Sequence, residues 1–481
     1  MELTPHQQQA FEKIKAFVRD PEQQVFVLRG YAGTGKTTLA RFLIEWLRSK
    51  EAEPLEFHPV LLASTGRAAR ILTNKAACAA NTLHGHIYQL DVVDGPEVES
   101  SPQADELTGQ LSINFGLKPT PPSSLKMVYI VDEASMLSHI PSAGDAVARF
   151  GSGSVLTDFF KYVSPNSKVI FIGDPAQLPP IAARETFSPA LDENFLSEHY
   201  KLRATGTELT EVLRQKEGGE ILELATRIRQ RIANKDFSNW EELMKVRGKS
   251  LFTPYTQQIM IERYLKQVKE NGWSSGLILT HSNKQAFYLN INIRKQLNEG
   301  KHLPFPKPGE ILLVVQNSYY VPLANGDQVL LIESDKGGKR HGIKFSKVKV
   351  MALHNGEVYE TLLLQDFLFA PEANLPPQVQ KQLLIDFDQR MKKKGLKRNS
   401  EAYKEAMRID PYLNALRAKF GYAVTCHKAQ GGEWPHCFLN LSETLNMLSD
   451  EARFRWLYTA VSRAREFLDV KPVFKQKKRK V

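Results

Sequence analysis

The residues best placed to do chemistry come in three short runs. The first is Gly30-Tyr31-Ala32-Gly33-Thr34-Gly35-Lys36-Thr37, followed by Thr38. Its glycines let backbone N–H groups close around a polyphosphate, and a helix beginning at the lysine adds a favourable dipole. Gly33, Thr34, Gly35, Lys36, Thr37 and Thr38 are therefore the expected contacts to a nucleoside triphosphate with Mg2+. Lys36 would reach the β- and γ-phosphates, and the Thr37 hydroxyl would be a ligand for Mg2+.

The second run is Asp132-Glu133-Ala134-Ser135, behind five apolar residues from Met127 to Val131. Two adjacent acids at the end of a buried strand have separate uses. Asp132 would hold Mg2+ through its water shell, and Glu133 would orient and deprotonate the attacking water. A small-molecule kinase has no need of that second acid, because its acceptor is a substrate hydroxyl. The third run, Gly173-Asp174-Pro175-Ala176-Gln177-Leu178-Pro179-Pro180, places Gln177 to touch both the γ-phosphate and the water. Asp174 has a simpler alternative, capping the turn before Pro175.

The elements that must hold these runs can be read around them. A strand from Gln24 to Arg29 leads into the glycine-rich loop, and Leu39, Phe42, Leu43, Trp46 and Leu47 behind it have helical spacing. Met127 to Val131 and Lys168 to Ile172 read as buried parallel strands. With 481 residues the chain is too long for one core. No apolar run approaches the roughly 20 residues of a membrane span. Cys78, Cys426 and Cys437 form no close pair, which suits a reducing compartment. The formal charge is +11, of which five charges fall in the last seven residues. That balance favours a polyanionic partner only modestly.

With these runs in place, the chain resembles superfamily-one DNA helicases, in the branch of phage Dda and the RecD-like enzymes, and its layout is closest to Dda. The matching segments run in the family's order from residue 3 to residue 465. Leu3-Thr4 with Gln7 and Ala10 resembles the adenine-reading element. Leu61 to Ala69 and Asn81-Thr82-Leu83-His84 resemble strand-contacting motifs. Leu209 to Gln215 resembles the segment that sends an arginine, Arg214, to the γ-phosphate. Thr280-His281-Ser282-Asn283, Asn325-Gly326-Asp327, Tyr422 to Gly431 and Tyr458 to Arg465 complete the set.

The resemblance implies an α/β protein of two tandem RecA-like P-loop motor domains. It implies ATP-driven translocation on single-stranded DNA, 5′-to-3′, and unwinding of duplex DNA in replication, recombination or repair. Lys36, Glu133, Gln177, Arg214 and Arg463 would be catalytic, and Thr37 and Asp132 would hold the metal. Thr65, Arg67, His84, Asn283, Thr425, His427 and Lys428 would contact the strand. Arg214 and Arg463 lie far from the phosphate loop in sequence, so a second lobe should deliver them across a cleft. The run Ser462-Arg463-Ala464-Arg465 is expected on an amphipathic helix.

By this reading residues 1–210 form the first motor domain, and residues 211–305 with 420–474 the second. Residues 88–124 break the first as an insert, either a fork-splitting pin with Phe115 stacking at its tip or a disordered loop. Residues 306–419 form a small SH3-like barrel followed by a basic helical arm, and residues 475–481 a basic tail. The expected partners are single-stranded and fork DNA, with a single-strand-binding protein or a replication or repair protein beside them, and no membrane. The chain is expected to act as a monomer in the cytoplasm, near the nucleoid, although the tail also resembles a nuclear import signal. Two rivals stand: an ATP-switched clamp on single-stranded DNA, and a RecD-like subunit of a nuclease complex without unwinding of its own.

Overall fold

The computed structural model describes residues 2–76, 78–94, 112–141, 148–180, 187–211, 219–254, 256–318 and 320–473. Its first sheet contains β1 (Val25–Gly30), β2 (His58–Ala63), β3 (Ala80–Thr82), β6 (Met127–Asp132), β8 (Lys168–Gly173) and β9 (Ala204–Leu209). The spatial order is β3-β2-β6-β8-β1-β9, and every pairing is parallel. Strands covered on both faces should be mostly apolar, and the central ones, β1, β6 and β8, are, whereas the edge strands β3 and β9 carry polar residues. Phe26 and Leu28 pack on one face with Ile14, Leu39, Leu43 and Leu72, while Val25 and Val27 pack on the other with Leu156, Phe159 and Leu196. The loops at the C-terminal ends of β1, β6 and β8 carry the three runs read from the sequence.

The insert builds its own sheet from β4 (Tyr88–Asp94), β5 (Ser112–Leu117) and β7 (Ala148–Phe150). β4 and β5 form an antiparallel pair, and β7 lies parallel to β5. Phe115 is not at a tip. It sits within β5, stacked on Phe150 with ring centres 4.6 Å apart. Residues 95–111, where a tip would lie, fall outside the described residues.

A second parallel sheet runs in the order β10 (Leu251–Phe252), β19 (Ala464–Lys471), β18 (Trp434–Asn440), β11 (Gly276–Thr280), β17 (Ala423–Thr425). Between β11 and β17 the chain makes an antiparallel sheet of β12 (Ile311–Val314), β13 (Gln328–Arg340), β14 (Ile343–Ala352), β15 (Val358–Leu364) and β16 (Ala418–Phe420). A bridge between Leu363 and Leu416 curls its far edge back toward β16, as closure into a barrel requires. The basic arm is two helices, Pro377–Lys393 and Glu401–Ile409.

Candidate nucleotide and strand sites

The phosphate loop turns where its glycines allow it. Gly33 and Gly35 have φ of 81° and 82°, and the helix Lys36–Leu47 begins directly after them. The Lys36 ammonium donates to the Gly30 and Tyr31 carbonyls at 2.7 and 3.0 Å, so the lysine lies along the loop it serves. Thr37 and Thr38 occupy the first turn of that helix. The buried Thr34 hydroxyl donates to the Tyr31 carbonyl at 2.9 Å and fixes the loop's inner curve. Gln7 is buried, and both ends of its amide are used. Its oxygen accepts from the Thr4 N–H at 3.1 Å, and its nitrogen donates to the Thr34 carbonyl, also at 3.1 Å. The residue expected to read adenine here braces the phosphate loop.

Asp132 closes β6 and Glu133 follows it with φ of 52°, a left-handed backbone for a non-glycine residue. The Glu133 N–H donates to the Asp132 carboxylate at 2.9 Å. Burial raises both carboxyls above their usual range. Glu133 is pushed up to about 7, first by burial and then by the Asp132 charge, while Arg463 and Lys36 oppose the rise.

Arg463 comes from the second sheet's side of the cleft, as expected, but not from a helix. The helix Asp450–Val461 ends before it, and β19 begins just after it. That helix is buried along nearly all of its second half, so amphipathic spacing was the wrong expectation. The buried guanidinium donates to the carbonyls of Thr459 and Gly432, each at 3.1 Å, and to the Ser462 hydroxyl at 3.0 Å. Arg214 lies outside the described residues.

The loop after β8 crosses into the other lobe's packing. Ala176 and Leu178 belong to the same core cluster as Leu277, Leu439 and Phe454. Gln177 is buried, and its side-chain oxygen has no hydrogen-bond partner among the described residues. The Leu178 N–H donates to the Thr459 hydroxyl at 3.0 Å, and Arg455 donates to the Pro175 carbonyl. Tyr458 receives the Ala32 N–H at 3.0 Å and donates to Asp174 at 2.7 Å. Tyr458 sits inside a motif read from the sequence, yet spacing alone assigned it no task. Arg229, whose guanidinium lies 4.0 Å from the Tyr31 ring centre, belongs to no motif at all.

The expected strand contacts separate into two groups. Asn283, Thr425 and Lys428 line one small cavity together with Phe287 and Lys419. Burial lowers the Lys428 ammonium, and it pushes His427 down to about 4, so that imidazole is neutral at physiological pH. The neighbouring Cys426 is on a short 3-10 turn rather than a strand, fully buried and raised by that burial. Thr65 and Arg67 stand at the start of the helix Gly66–Ala76. The Thr65 hydroxyl accepts from the Ala68 N–H at 3.2 Å. Arg67 lies over the Trp434 ring and donates to the Gly326 carbonyl at 3.4 Å, so its guanidinium serves the contact between lobes rather than an open groove.

His84 packs against Tyr88 and Phe150, each ring centre 5.7 Å away. It opens onto a cavity of about 610 Å³ between the insert sheet and the barrel with its arm. Lys118, Arg408 and Arg417 line this cavity, and among the described residues no carboxylate does.

An AAA domain model matches residues 2–248, just over half of the chain. The chain belongs to this AAA domain family. A UvrD-like helicase C-terminal domain matches residues 420–468 behind it. The ATP-dependent DNA helicase Dda of Enterobacteria phage T4 is 25% identical over 301 residues, covering 62% of this chain and 58% of Dda. An uncharacterised protein of Acanthamoeba polyphaga mimivirus is 20% identical over 96% of this chain and 98% of its own length. A crystal structure of Bacteroides Pif1 bound to single-stranded DNA shares the fold over 99% of this chain and 93% of that one, at 16% identity and a TM-score of 0.50. The two matched domains follow one another in the order that the sequence motifs implied, and the named relatives with an assigned activity are helicases.

Proposed function

We infer that the chain is an ATP-dependent DNA helicase that translocates 5′-to-3′ along single-stranded DNA and opens forks, working as a monomer. One observation carries the reading: groups of the second lobe bond directly to the first lobe's nucleotide loops, Tyr458 to Ala32 and Asp174, and Thr459 to Leu178. Hydrolysis that needs groups from both lobes responds to cleft closure, and a bound strand that draws the lobes together would set its rate.

Each residue then has a task. Backbone N–H groups of the loop and Lys36 bind the polyphosphate. Glu133 orients a water and accepts its proton, and Gln177 holds that water against the γ-phosphate. Arg463, with Arg214, stabilises charge developing on the transferred phosphoryl, a contribution on the order of 10³ to 10⁵ in rate. The site suits Mg2+. Thr37 and Asp132 offer oxygen only, and among the described residues no group of three or more His, Cys, Asp or Glu side chains gathers into a cage. Such a site holds the ion through one or two protein ligands and the phosphates themselves. Bound there, Mg2+ would neutralise phosphate charge. The strand would pass the cavity of Asn283, Thr425 and Lys428 and then the acid-free cavity beside His84, where cations face phosphates and rings face bases.

The test is ATP hydrolysis with and without a single-stranded oligonucleotide at fixed salt, followed by displacement of duplexes with 5′ or 3′ overhangs. Stimulation by orders of magnitude, and displacement only from the 5′ overhang, are expected. Lys36→Ala should abolish hydrolysis. Tight DNA binding without displacement would favour the ATP-switched clamp.

A further inference from the structure

Two residues of the phosphate loop are held from the opposite lobe, and neither contact follows from the motifs. Arg229 lies on the helix Gly219–Ala233, which packs in the second lobe's core through Ile221, Leu224 and Ile228. Its guanidinium covers Tyr31, and Tyr458 receives the N–H of the next residue, Ala32.

The hydrogen-bond direction at Tyr458 is fixed by chemistry. A phenol has one proton to give, and burial beside Asp174 raises Tyr458 well above its ordinary value, so it stays protonated. That proton goes to the Asp174 carboxylate at 2.7 Å, which leaves an oxygen lone pair for the Ala32 N–H. One buried hydroxyl thus joins the phosphate loop to the first acid of the loop that carries Gln177. The same helix adds the Thr459 hydroxyl at Leu178 and Arg455 at Pro175. Gln177 is therefore bracketed on both sides by groups of the second lobe, although its chain belongs to the first.

We propose that Tyr458 is a positioning residue: through Asp174 it sets Gln177 against the γ-phosphate and ties hydrolysis to the placement of the second lobe. The proposal rests on the helicase reading for what Gln177 does, and on the bonds at Tyr458 for how it is held. Nucleotide binding should not depend on it. The loop's own shape is secured inside the first lobe by Gly33, Gly35, and the bonds of Thr34, Lys36 and Gln7.

Tyr458→Phe keeps the ring and removes both bonds. Steady-state hydrolysis with saturating single-stranded DNA should show kcat reduced about tenfold or more, the size of a lost hydrogen bond to a charged group. The KM for ATP and the affinity for a fluorescent ADP analogue should stay within about threefold, well inside the tenfold that each 1.36 kcal/mol would give. Asp174→Asn should lower kcat similarly, and the double variant should lose little more than either single one. An unchanged kcat in Tyr458→Phe overturns the proposal, as does a loss that appears only in KM, or two losses that multiply in the double variant. If Tyr458→Phe fails to fold, Asp174→Asn alone decides by the same split between kcat and KM. If the parent hydrolyses ATP but ignores DNA, the helicase reading falls, while the Tyr458 proposal is still judged on the variants' kcat.

Discussion

Arg67 and Trp434 meet across the boundary between the two motor lobes, the guanidinium carbon 4.1 Å from the indole ring centre. Trp434 is buried at the start of β18, and Arg67 is lowered to about 10 by burial, so it remains charged at neutral pH. A partly desolvated pair of this kind is worth about 1–2 kcal/mol. In this arrangement it occupies a cation that the motif pattern assigned to the strand.

Arg67→Ala should therefore weaken the contact between lobes without changing how DNA affinity depends on salt. Lys428→Ala should do the reverse, reducing the slope of log affinity against log salt by about one. Titrating single-stranded DNA at several salt concentrations separates them. A reduced slope in Arg67→Ala would return that residue to the phosphate track.

Glu133 makes hydrolysis pH-dependent. With its carboxyl raised to about 7, kcat/KM should climb as pH rises through that value and fall below it, as protonation removes the base. Stability runs the other way. A carboxyl raised in the folded state contributes stability that is complete below its unfolded value and is lost as pH rises through the folded one. Glu133→Gln should thus raise the melting temperature at pH 8, do little at pH 4, and abolish most turnover while nucleotide still binds. Calorimetry at both pH values and a turnover assay check this, and equal melting shifts at the two would contradict the raised carboxyl.

Gly66 faces Ala324 of the barrel so closely that a Cβ on it would lie 2.3 Å from the alanine's. Gly66→Ala should destabilise the chain by about 1–3 kcal/mol, since one of two packed segments must shift. Gly219 is the natural control, because a Cβ there meets nothing within 4 Å. Gly219→Ala, at the start of a helix, should be neutral or mildly stabilising. Chemical denaturation of both variants gives the comparison.

What the sequence made legible was local. The phosphate loop, the acid pair and the strands around them announce themselves because a strand, a turn and a helix each leave a pattern within about a dozen residues. What the sequence did not show depends mostly on partners distant in the chain. Gln7, expected at the base, is bonded here to Thr4 and to Thr34 of the phosphate loop. Phe115 looked like an exposed tip because the strand that covers it, β7, arrives only at residue 148. Arg463 is expected on a helix with its neighbours, but the helix ends at Val461 and the backbone has already turned toward β19. Tyr458 and Arg229 gain meaning only once the phosphate loop is beside them.

The barrel shares one uninterrupted core with the second sheet, Ile278, Leu289 and Ile293 packing directly on Leu312, Val329 and Val350. Arg294 and Glu310 bolt the two together through a buried ion pair. Against the first lobe the barrel makes two kinds of contact: a polar turn, with Arg70 paired to Asp327 beside the Gly66 contact, and an apolar one, where Val93 of the insert sheet packs in one core with Ile343, Phe345 and Leu364. Greasy, interlocked surfaces resist sliding, whereas a few polar bonds can be exchanged one for another. Of the two, the polar contact between the helix Gly66–Ala76 and residues 324–327 is the one that can be remade after a shift, while the barrel stays tied by apolar cores to the second sheet on one side and to the insert sheet on the other.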